Sequence, residues 1–411
     1  PFKMLPFALN KFINNKYFKK MNKIKLKKYK LICTSLNIIS IILLFNLINS
    51  ENNLRLISLK EEKISKEYIN LVNFVRNNKG YINPKLIPNE TSNINRYIIT
   101  KEKIKKDEIL LIIPDEILIS KLHKSINYKC IEAYGLIEEY EYECVVYFMT
   151  IDKYNPSSIF KPYYDYLPKI NISDFVFSFN EEEKNLFKDT GITEGIRTYE
   201  FFLDKALRPV EQRLKEFAKK YKIKYEEILE EFKYNFIMVG TRNFGRRDSI
   251  FDVNTMVPYL DLINHSDKND ADWNYDENEG VYILTAIRDI DKNEEITDSY
   301  GKFMNSRLYE TYGFVIPGNT VNDNVYVRIN GESITLNISF MKSKIESMFE
   351  KLVQMKGLEF NEAKKIIIKE LKDKKRYYLN LKTNRFSLNV IIKEHLDIIN
   401  TFIKEVQIFS I

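Results

Sequence analysis

The order of strand-like and helical patterns along the chain limits its possible folds more than any other feature. Residues 97–119 (YIITKEKIKKDEILLIIPDEILI) predict two short strands around a charged turn at 105–108, in the manner of a hairpin. The other patterns, in chain order, are helical over 125–150 and 181–236, strand-like over 250–300 and 325–338, and helical from about 340 onward. This order predicts a β-rich core that is split by a helical insert and followed by a helical domain.

The apolar residues of these segments have the spacing of helices and strands. One set in the insert predicts a helical face: Phe201, Phe202, Leu203, Leu207, Val210 and Leu214. The strand-like part alternates with a period of two: Val281, Ile283 and Thr285 against Tyr282, Leu284 and Ala286. We therefore expect most aromatic residues of these segments to pack in the core.

The composition is that of a globular protein with two or three domains. The chain has 411 residues, of which 44% are hydrophobic and 29% are charged. It contains only 12 glycines and 11 prolines, so a glycine-rich phosphate loop and a proline-rich linker are not expected.

Most of the positive charge lies at the amino terminus. The formal net charge is +7, but residues 1–30 hold ten lysines and no acidic residue, which leaves residues 51–411 at −3. A faintly acidic folded part attracts nucleic acid phosphates only weakly. We therefore expect no nucleic acid partner.

The cysteines and histidines are few and scattered. Cysteines at 33, 130 and 144 are an odd number without a regular spacing, which argues against a disulfide framework. The three histidines are His123, His265 and His395, and no CxxC or HExxH spacing is present. We expect no metal site.

Residues 31–50 (LICTSLNIISIILLFNLINS) are uncharged and follow the lysine-rich run. About twenty residues can cross a bilayer, and the preceding lysines favour a cytoplasmic amino terminus. The pattern predicts a signal anchor, with membrane association through residues 31–49, or a cleaved signal for secretion or organelle targeting. Two alternatives stay open: translation from an internal methionine, and a basic tail before a buried helix in a cytoplasmic protein.

Two short polar motifs follow strand-like segments. Asn264-His265-Ser266 ends the apolar run of PYLDLINHS at 258–266, and on its own it is typical of structural hydrogen bonding. Thirty-five residues after His265 comes Ser299-Tyr300-Gly301, in which the glycine permits a tight turn. A second tyrosine-glycine pair follows at Tyr312-Gly313.

In this order and spacing, the motifs resemble the carboxy-terminal half of a SET-domain protein methyltransferase. Three further blocks resemble the Rubisco large-subunit methyltransferase-like branch of that family: SSIFKPYYDYLPK at 157–169, FSFNEEEKNLFKDTG at 177–191 and EFKYNFIMVGTRNF at 231–244. The similarity extends from about residue 95 to residue 318, and the helical tail resembles the substrate-binding domain of the branch more loosely.

The resemblance implies an α+β fold, with a SET-domain β-rich pseudoknot core, a helical insert and a carboxy-terminal all-α substrate-binding domain. The implied parts are the leader at 1–50, the first part of the SET domain at 51–124, the insert at 125–235, the second part of the SET domain at 236–318, and the substrate-binding-like domain at 319–411.

The resemblance also implies roles for individual residues. Tyr300 would be the catalytic tyrosine. The implied cofactor-binding residues are Arg242, Asn264, His265, Tyr300 and Tyr312. The implied substrate-binding residues are Arg242, Phe244, Arg246, Asp261 and Tyr312.

These roles imply an S-adenosylmethionine-dependent protein-lysine N-methyltransferase that acts on a non-histone protein as a monomer. Methyl transfer is an in-line displacement, so alignment supplies much of the rate, and a fixed tyrosine hydroxyl can orient the methyl group without acting as a base. Phe244 favours lysine, because an apolar wall suits a neutral amine, whereas histidine-modifying relatives carry a polar residue there. Histidine methylation stays open as an alternative.

One departure from the family favours another alternative. Where the family shows a turn of roughly Glu-Gly-x-Gly, this chain has Ile94-Asn95-Arg96-Tyr97, and the missing glycines restrict close approach of a cofactor to the backbone. Asn293 also replaces a usual glycine in a turn. The second hypothesis is therefore a catalytically degenerate SET protein that serves as a scaffold or binding module.

Overall fold

The computed structural model describes residues 64–90, 96–120, 123–135, 140–170, 175–245 and 254–410, all within the unit Ile64–Ile411. Its α-helices are α1 (Lys66–Asn77), α2 (Lys124–Tyr134), α3 (Glu141–Asp152), α4 (Lys161–Tyr166), α5 (Glu181–Leu186), α6 (Ile192–Leu207), α7 (Glu211–Tyr221), α8 (Tyr225–Arg242), α9 (Asn305–Tyr312), α10 (Met341–Val353), α11 (Phe360–Asn380) and α12 (Phe386–Ile408). Its strands are β1 (Tyr81–Ile82), β2 (Leu86–Asn89), β3 (Tyr97–Thr100), β4 (Ile109–Pro114), β5 (Asn243–Phe244), β6 (Thr255–Met256), β7 (Asn264–His265), β8 (Ala271–Asp276), β9 (Val281–Ala286), β10 (Thr297–Asp298), β11 (Val325–Ile329) and β12 (Glu332–Leu336).

The leader and the uncharged segment at 31–50 lie outside the described residues, so the prediction of an anchor or signal stays a prediction. Among the residues that are described, no helix has both the length and the apolar character that a membrane span requires.

A four-stranded antiparallel sheet, in the order β1-β4-β9-β8, supports the site. In β9 the buried residues are Tyr282, Leu284 and Ala286, so the predicted alternation is confirmed and its inner face is identified. The sheet, the helical segments between its strands and the carboxy-terminal helices confirm the α+β fold with a helical insert.

The strands of 97–119 are present but do not form the expected hairpin. Strand β3 pairs with β2, whereas β4 lies between β1 and β9. Between them, Ile104 bridges to Ile290. The hairpin prediction was wrong because β3 pairs with the nearby upstream strand β2, and β4 pairs with β1 and with the distant strand β9.

The insert contributes to two hydrophobic cores. Most of its helices pack with the sheet. Residues from Val176 to Ile196 instead join β11, β12 and the helices α10 to α12 in a second core. The aromatic pair Phe201 and Phe202 is 65% and 45% exposed, which corrects the expectation that this part of the α6 pattern is core.

Cys130 and Cys144 form a disulfide between α2 and α3, with their Cα atoms 5.3 Å apart. The sequence pattern argued against a disulfide framework, and it did not anticipate this pair. The spacing of cysteines carries no information on the packing of the helices that bear them.

The carboxy-terminal lobe begins with the β11–β12 hairpin, within the strand-like segment predicted at 325–338, and continues with the predicted helices. Its core contains His395, whose Nδ1 lies 2.8 Å from the Tyr378 hydroxyl. Burial, with a smaller contribution from Lys374, lowers the pKa of His395 to about 3.

We expect this histidine to make the lobe acid-sensitive. Its pKa is lower in the folded chain than in the unfolded chain, so its contribution to stability is complete above about pH 6.5 and is lost as the pH falls toward 3. The loss at pH 5 should be about 2 kcal/mol. Urea unfolding from pH 4 to pH 8 should show a smaller pH slope for His395→Gln than for the unsubstituted chain. Equal slopes would contradict the prediction.

Candidate active site

The two motifs lie side by side although more than thirty residues separate them. Asn264 pairs with Thr297, and His265 with Asp298, in a parallel ladder. The Ser266 amide donates to the Asp298 carbonyl at 2.8 Å, which extends this pairing. The pairing places the Ser299-Tyr300-Gly301 turn directly beside Asn264-His265-Ser266.

His265 secures this turn. Its Nδ1 accepts a hydrogen bond from the Tyr300 amide at 3.0 Å, so Nε2 carries the proton of the neutral ring. Burial lowers the pKa of His265, and Asp267, with Oδ1 3.5 Å from Nε2, opposes this effect. His265 is therefore a neutral acceptor that holds the backbone of Tyr300.

Asn264 is exposed, and its side chain donates to Glu295 Oε1 at 2.9 Å. Burial raises the pKa of Glu295, and the bond from Asn264 opposes this rise. The ring of His265 lies beside the aromatic residues described next.

The Tyr300 hydroxyl donates to the Ile263 carbonyl at 2.9 Å. Burial raises the pKa of Tyr300 above its usual range, so the phenol keeps its proton at neutral pH. Its ring lies 5.0 Å from Tyr312 and 5.2 Å from His265. Phe314 contacts both Tyr312 and His265, at 5.9 Å each. Sequence reasoning missed Phe314, although it directly follows Tyr312-Gly313.

A buried ion pair between Arg242 and Asp261 lies at the same site. Arg242 Nη1 donates to the Asp261 carbonyl at 2.6 Å and is 3.4 Å from Asp261 Oδ2. The Tyr163 hydroxyl, which sequence reasoning also missed, donates to the same Oδ2 at 2.8 Å. Burial raises the pKa of Asp261, and the positive charge of Arg242 opposes the rise.

Local structure explains the position of Arg242. Helix α8 ends there because Asn243 adopts an extended conformation, and the Asn243 amide group donates to the Val239 carbonyl at 2.7 Å. Strand β5 follows and pairs Phe244 with Thr255. The Phe244 ring then meets Trp273 edge-on at 5.3 Å. Trp273 was not predicted, since β8 lies far from Phe244 in sequence.

These residues enclose a cavity of about 270 Å³, named here the catalytic cavity. Five predicted site residues line it: Arg242, Phe244, Asp261, Tyr300 and Tyr312. Asn264 and His265 support its wall, and Arg246 lies outside the described residues. The roles of all these residues stay predictions.

Two buried polar atoms at this cavity, Asp261 Oδ1 and Arg242 Nε, have no hydrogen-bond partner among the described residues. Such atoms fit a ligand that brings its own polar groups, because an unpaired buried polar atom is costly. The ranges described contain no cluster of three or more His, Cys, Asp or Glu side chains that could hold a metal ion.

The departure at 94–97 is only partly described. Arg96 donates from Nη1 to the Tyr166 carbonyl, and its guanidinium lies 4.5 Å from the centre of the Tyr166 ring. Tyr97 begins β3. Arg96 is thus fixed against the insert, in the place where the family shows a glycine-containing turn.

The fold and the two adjacent motifs, Asn264-His265-Ser266 and Ser299-Tyr300-Gly301, define the class of this protein. The family model described as "SET domain" matches residues 95–301, and the chain belongs to the SET-domain family.

Individual relatives share about a quarter of their aligned residues with this chain. The chain is 25% identical over 264 residues to N-lysine methyltransferase setd6 of Danio rerio, which covers 56% of this chain and 53% of the relative. It is 24% identical over 254 residues to ribosomal lysine N-methyltransferase 4 of Saccharomyces cerevisiae. That aligned region covers 54% of this chain and 49% of the relative. The chain spans about half the length of these curated relatives.

Solved structures share the fold. The SET domain of LSMT bound to lysine and AdoHcy superposes with a TM-score of 0.58 at 13% identity, covering 84% of this chain and 92% of that one. The structure of Rubisco LSMT bound to AdoMet superposes with a TM-score of 0.58 at 14% identity, again covering 84% of this chain and 92% of that one. At this identity the likeness shows the fold alone.

Proposed function

We propose that the chain is an S-adenosylmethionine-dependent protein-lysine N-methyltransferase that acts on a non-histone protein. The observation that carries the proposal is the position of Tyr300, which is held by His265 and Ile263 at the wall of the catalytic cavity. The names of both curated relatives specify lysine methylation, and one specifies a ribosomal substrate. The domain boundaries given above remain part of the proposal.

The residues at the site fit this cofactor. Tyr312, Phe314 and His265 present an aromatic surface for an adenine ring or a sulfonium, and the unpartnered atoms of Asp261 and Arg242 suit polar groups. Arg242, Asn264, His265, Tyr300 and Tyr312 would hold the cofactor. When bound, S-adenosylmethionine would supply a methyl group on a sulfonium for in-line displacement by an amine.

The chain's own groups would prepare the amine. Burial beside Phe244, Trp273 and Tyr312 disfavours the ammonium form of lysine, whereas Asp261 and Asp298, which also line the cavity, favour it. The ammonium group must lose a proton to water before it reacts. Asp261 Oδ1 can accept a hydrogen bond from the incoming nitrogen. Tyr300 stays protonated and orients the reacting groups rather than removing the proton.

Calorimetry of S-adenosylmethionine binding tests the cofactor site. We expect micromolar binding to the full chain and at least about tenfold weaker binding to His265→Ala, because the variant releases the Tyr300 amide. His123→Ala is the matched control, since His123 lies outside the catalytic cavity. Equal binding by both variants would place the cofactor elsewhere.

The same experiment separates the enzyme from a scaffold. A scaffold is favoured by the absence of glycine at 95 and 97, and it predicts no cofactor binding by the intact chain. If binding is present, methyl-labelled cofactor and a histone-depleted protein extract should give methyl-lysine on amino-acid analysis. Methyl-histidine in its place would overturn the lysine assignment.

A further inference from the structure

Tyr163 connects the helical insert to the buried pair of Arg242 and Asp261. It lies on α4, where Tyr163 and Tyr166 are both buried, because positions three apart share one face of a helix. The Tyr163 hydroxyl donates to Asp261 Oδ2 at 2.8 Å. The described residues that line the catalytic cavity include Asp261 but not Tyr163. Tyr163 therefore acts on the cavity through the carboxylate that it holds.

The two carboxylate oxygens of Asp261 have different surroundings. Oδ2 accepts the bond from Tyr163 and lies 3.4 Å from Arg242 Nη1. Oδ1 is buried and has no hydrogen-bond partner among the described residues. The terminal torsion of aspartate has a broad energy minimum, so a carboxylate that is not held at either oxygen can turn. The Tyr163 bond therefore fixes the direction in which Oδ1 points.

We propose that Tyr163 is a positioning residue for the substrate lysine: it holds Oδ2 of Asp261 and so leaves Oδ1 as the acceptor for the lysine nitrogen. The inference rests on the proposed function, and it gives the helical insert a role in recognising the amine. Without the Tyr163 hydroxyl, the carboxylate can turn toward Arg242, and the acceptor loses its fixed direction. Hydrogen bonds to a charged group are strong only when their geometry is maintained.

The chain's one tryptophan provides a readout that does not require turnover. Trp273 lines the catalytic cavity, so its fluorescence should change when a ligand enters. The probe is Nα-acetyl-lysine methylamide, added to the full chain in the presence of S-adenosylhomocysteine. The norleucine analogue has the same carbon chain and lacks the nitrogen. We expect Tyr163→Phe to reduce the preference for the lysine probe over the norleucine analogue about tenfold.

Tyr164→Phe is the matched control. Tyr164 is the next residue of α4, and its hydroxyl donates to Oδ2 of another buried carboxylate, Asp152, at 3.1 Å. Neither of these two residues is among those described around the catalytic cavity. The control should lose a comparable hydrogen bond and keep the full preference for the lysine probe. Equal weakening in both variants would assign the effect to the packing of α4 and would overturn the inference.

The pH dependence of probe binding is a second readout, which a purely structural role would not change. Burial raises the pKa of Asp261, and Arg242 and the bond from Tyr163 oppose the rise. Tyr163→Phe should therefore raise this pKa, and binding that needs the ionised carboxylate should be lost at a higher pH as the pH falls. An unchanged acidic limit would overturn the inference. Both tyrosine variants keep the other charged or titratable groups around Asp261: Arg242 and Tyr234 of α8, Tyr300, and Asp298.

A double variant tests the route of the effect. If Tyr163 acts through Asp261, adding Tyr163→Phe to Asp261→Asn should not weaken binding of the lysine probe further, and a further tenfold loss would overturn this route. Methyl transfer to a protein extract is measured separately. Its absence in a chain that prefers the lysine probe would refute the proposed function and leave the inference intact. An unsubstituted chain without this preference would overturn the inference, even if methyl transfer occurs.

Discussion

Tyr300→Phe should slow methyl transfer about 10²–10³-fold while cofactor binding continues. The substitution removes the oxygen that bonds to the Ile263 carbonyl but keeps the ring contacts with His265 and Tyr312. Loss of one preorganised polar group at a reacting centre commonly costs about 10²–10³-fold in rate. The rate should be measured with methyl-labelled cofactor and a protein extract, and cofactor binding by calorimetry.

Two comparisons decide how this result is read. Tyr221→Phe changes an exposed tyrosine of α7 that does not line the catalytic cavity, and it should leave the rate unchanged. A Tyr300→Phe variant that transfers methyl groups at the original rate would remove Tyr300 from the reaction. If the variant also fails to bind the cofactor, Tyr300 acts in binding rather than in the transfer step.

The second large effect is expected on stability. Arg242→Leu removes the cation beside the buried carboxylate of Asp261, together with the bond to the Asp261 carbonyl. Breaking a buried pair by removing one partner typically costs about 3–5 kcal/mol, because the remaining charge is left uncompensated. Urea unfolding at pH 7 should show this loss in the free energy of unfolding.

The loss should depend on pH in a defined direction. Burial already raises the pKa of Asp261, and removal of Arg242 should raise it further. The folded state then holds a proton more tightly than the unfolded state, so the free energy of unfolding of Arg242→Leu should fall as the pH rises from about 4 to 8. Adding Asp261→Asn should restore part of the stability and remove this slope.

An exposed ion pair provides the matched control. Lys161 and Asp165 of α4 are 2.8 Å apart and substantially exposed. Lys161→Leu should cost no more than about 1 kcal/mol, because solvent screens such pairs. If Lys161→Leu and Arg242→Leu lower the free energy of unfolding equally, the uncompensated buried charge of Asp261 is not the cause of the loss in Arg242→Leu.

The sequence could predict the parts of the site that lie at the ends of regular elements. Arg242 and His265 are the last residues of α8 and β7, and Tyr300 lies two positions after the end of β10. Their resemblance to family motifs predicted that they lie at one site. The structure shows five of the predicted site residues around one cavity.

Other parts could not be predicted because they depend on packing between distant segments. Tyr163 reaches Asp261 across ninety-eight positions, and Trp273 reaches Phe244 from another strand. The hairpin predicted for 97–119 was wrong because local pattern does not identify the partner of a strand: β3 pairs with β2, and β4 pairs with the distant β9. A cavity of about 890 Å³ likewise forms where α6, α8 and α9 are packed together.

The central position of β4 in the sheet also affects the folding of the chain during its synthesis. Its partner β9 begins at residue 281, about 170 residues after β4 ends, which corresponds to roughly 10–35 s of synthesis at about 5–20 residues per second. During this time one long edge of an almost wholly apolar strand has no partner on the ribosome, and unpaired edges of this kind promote aggregation. Expression should therefore depend on chaperones that bind nascent chains, and truncations that end before residue 286 should be insoluble.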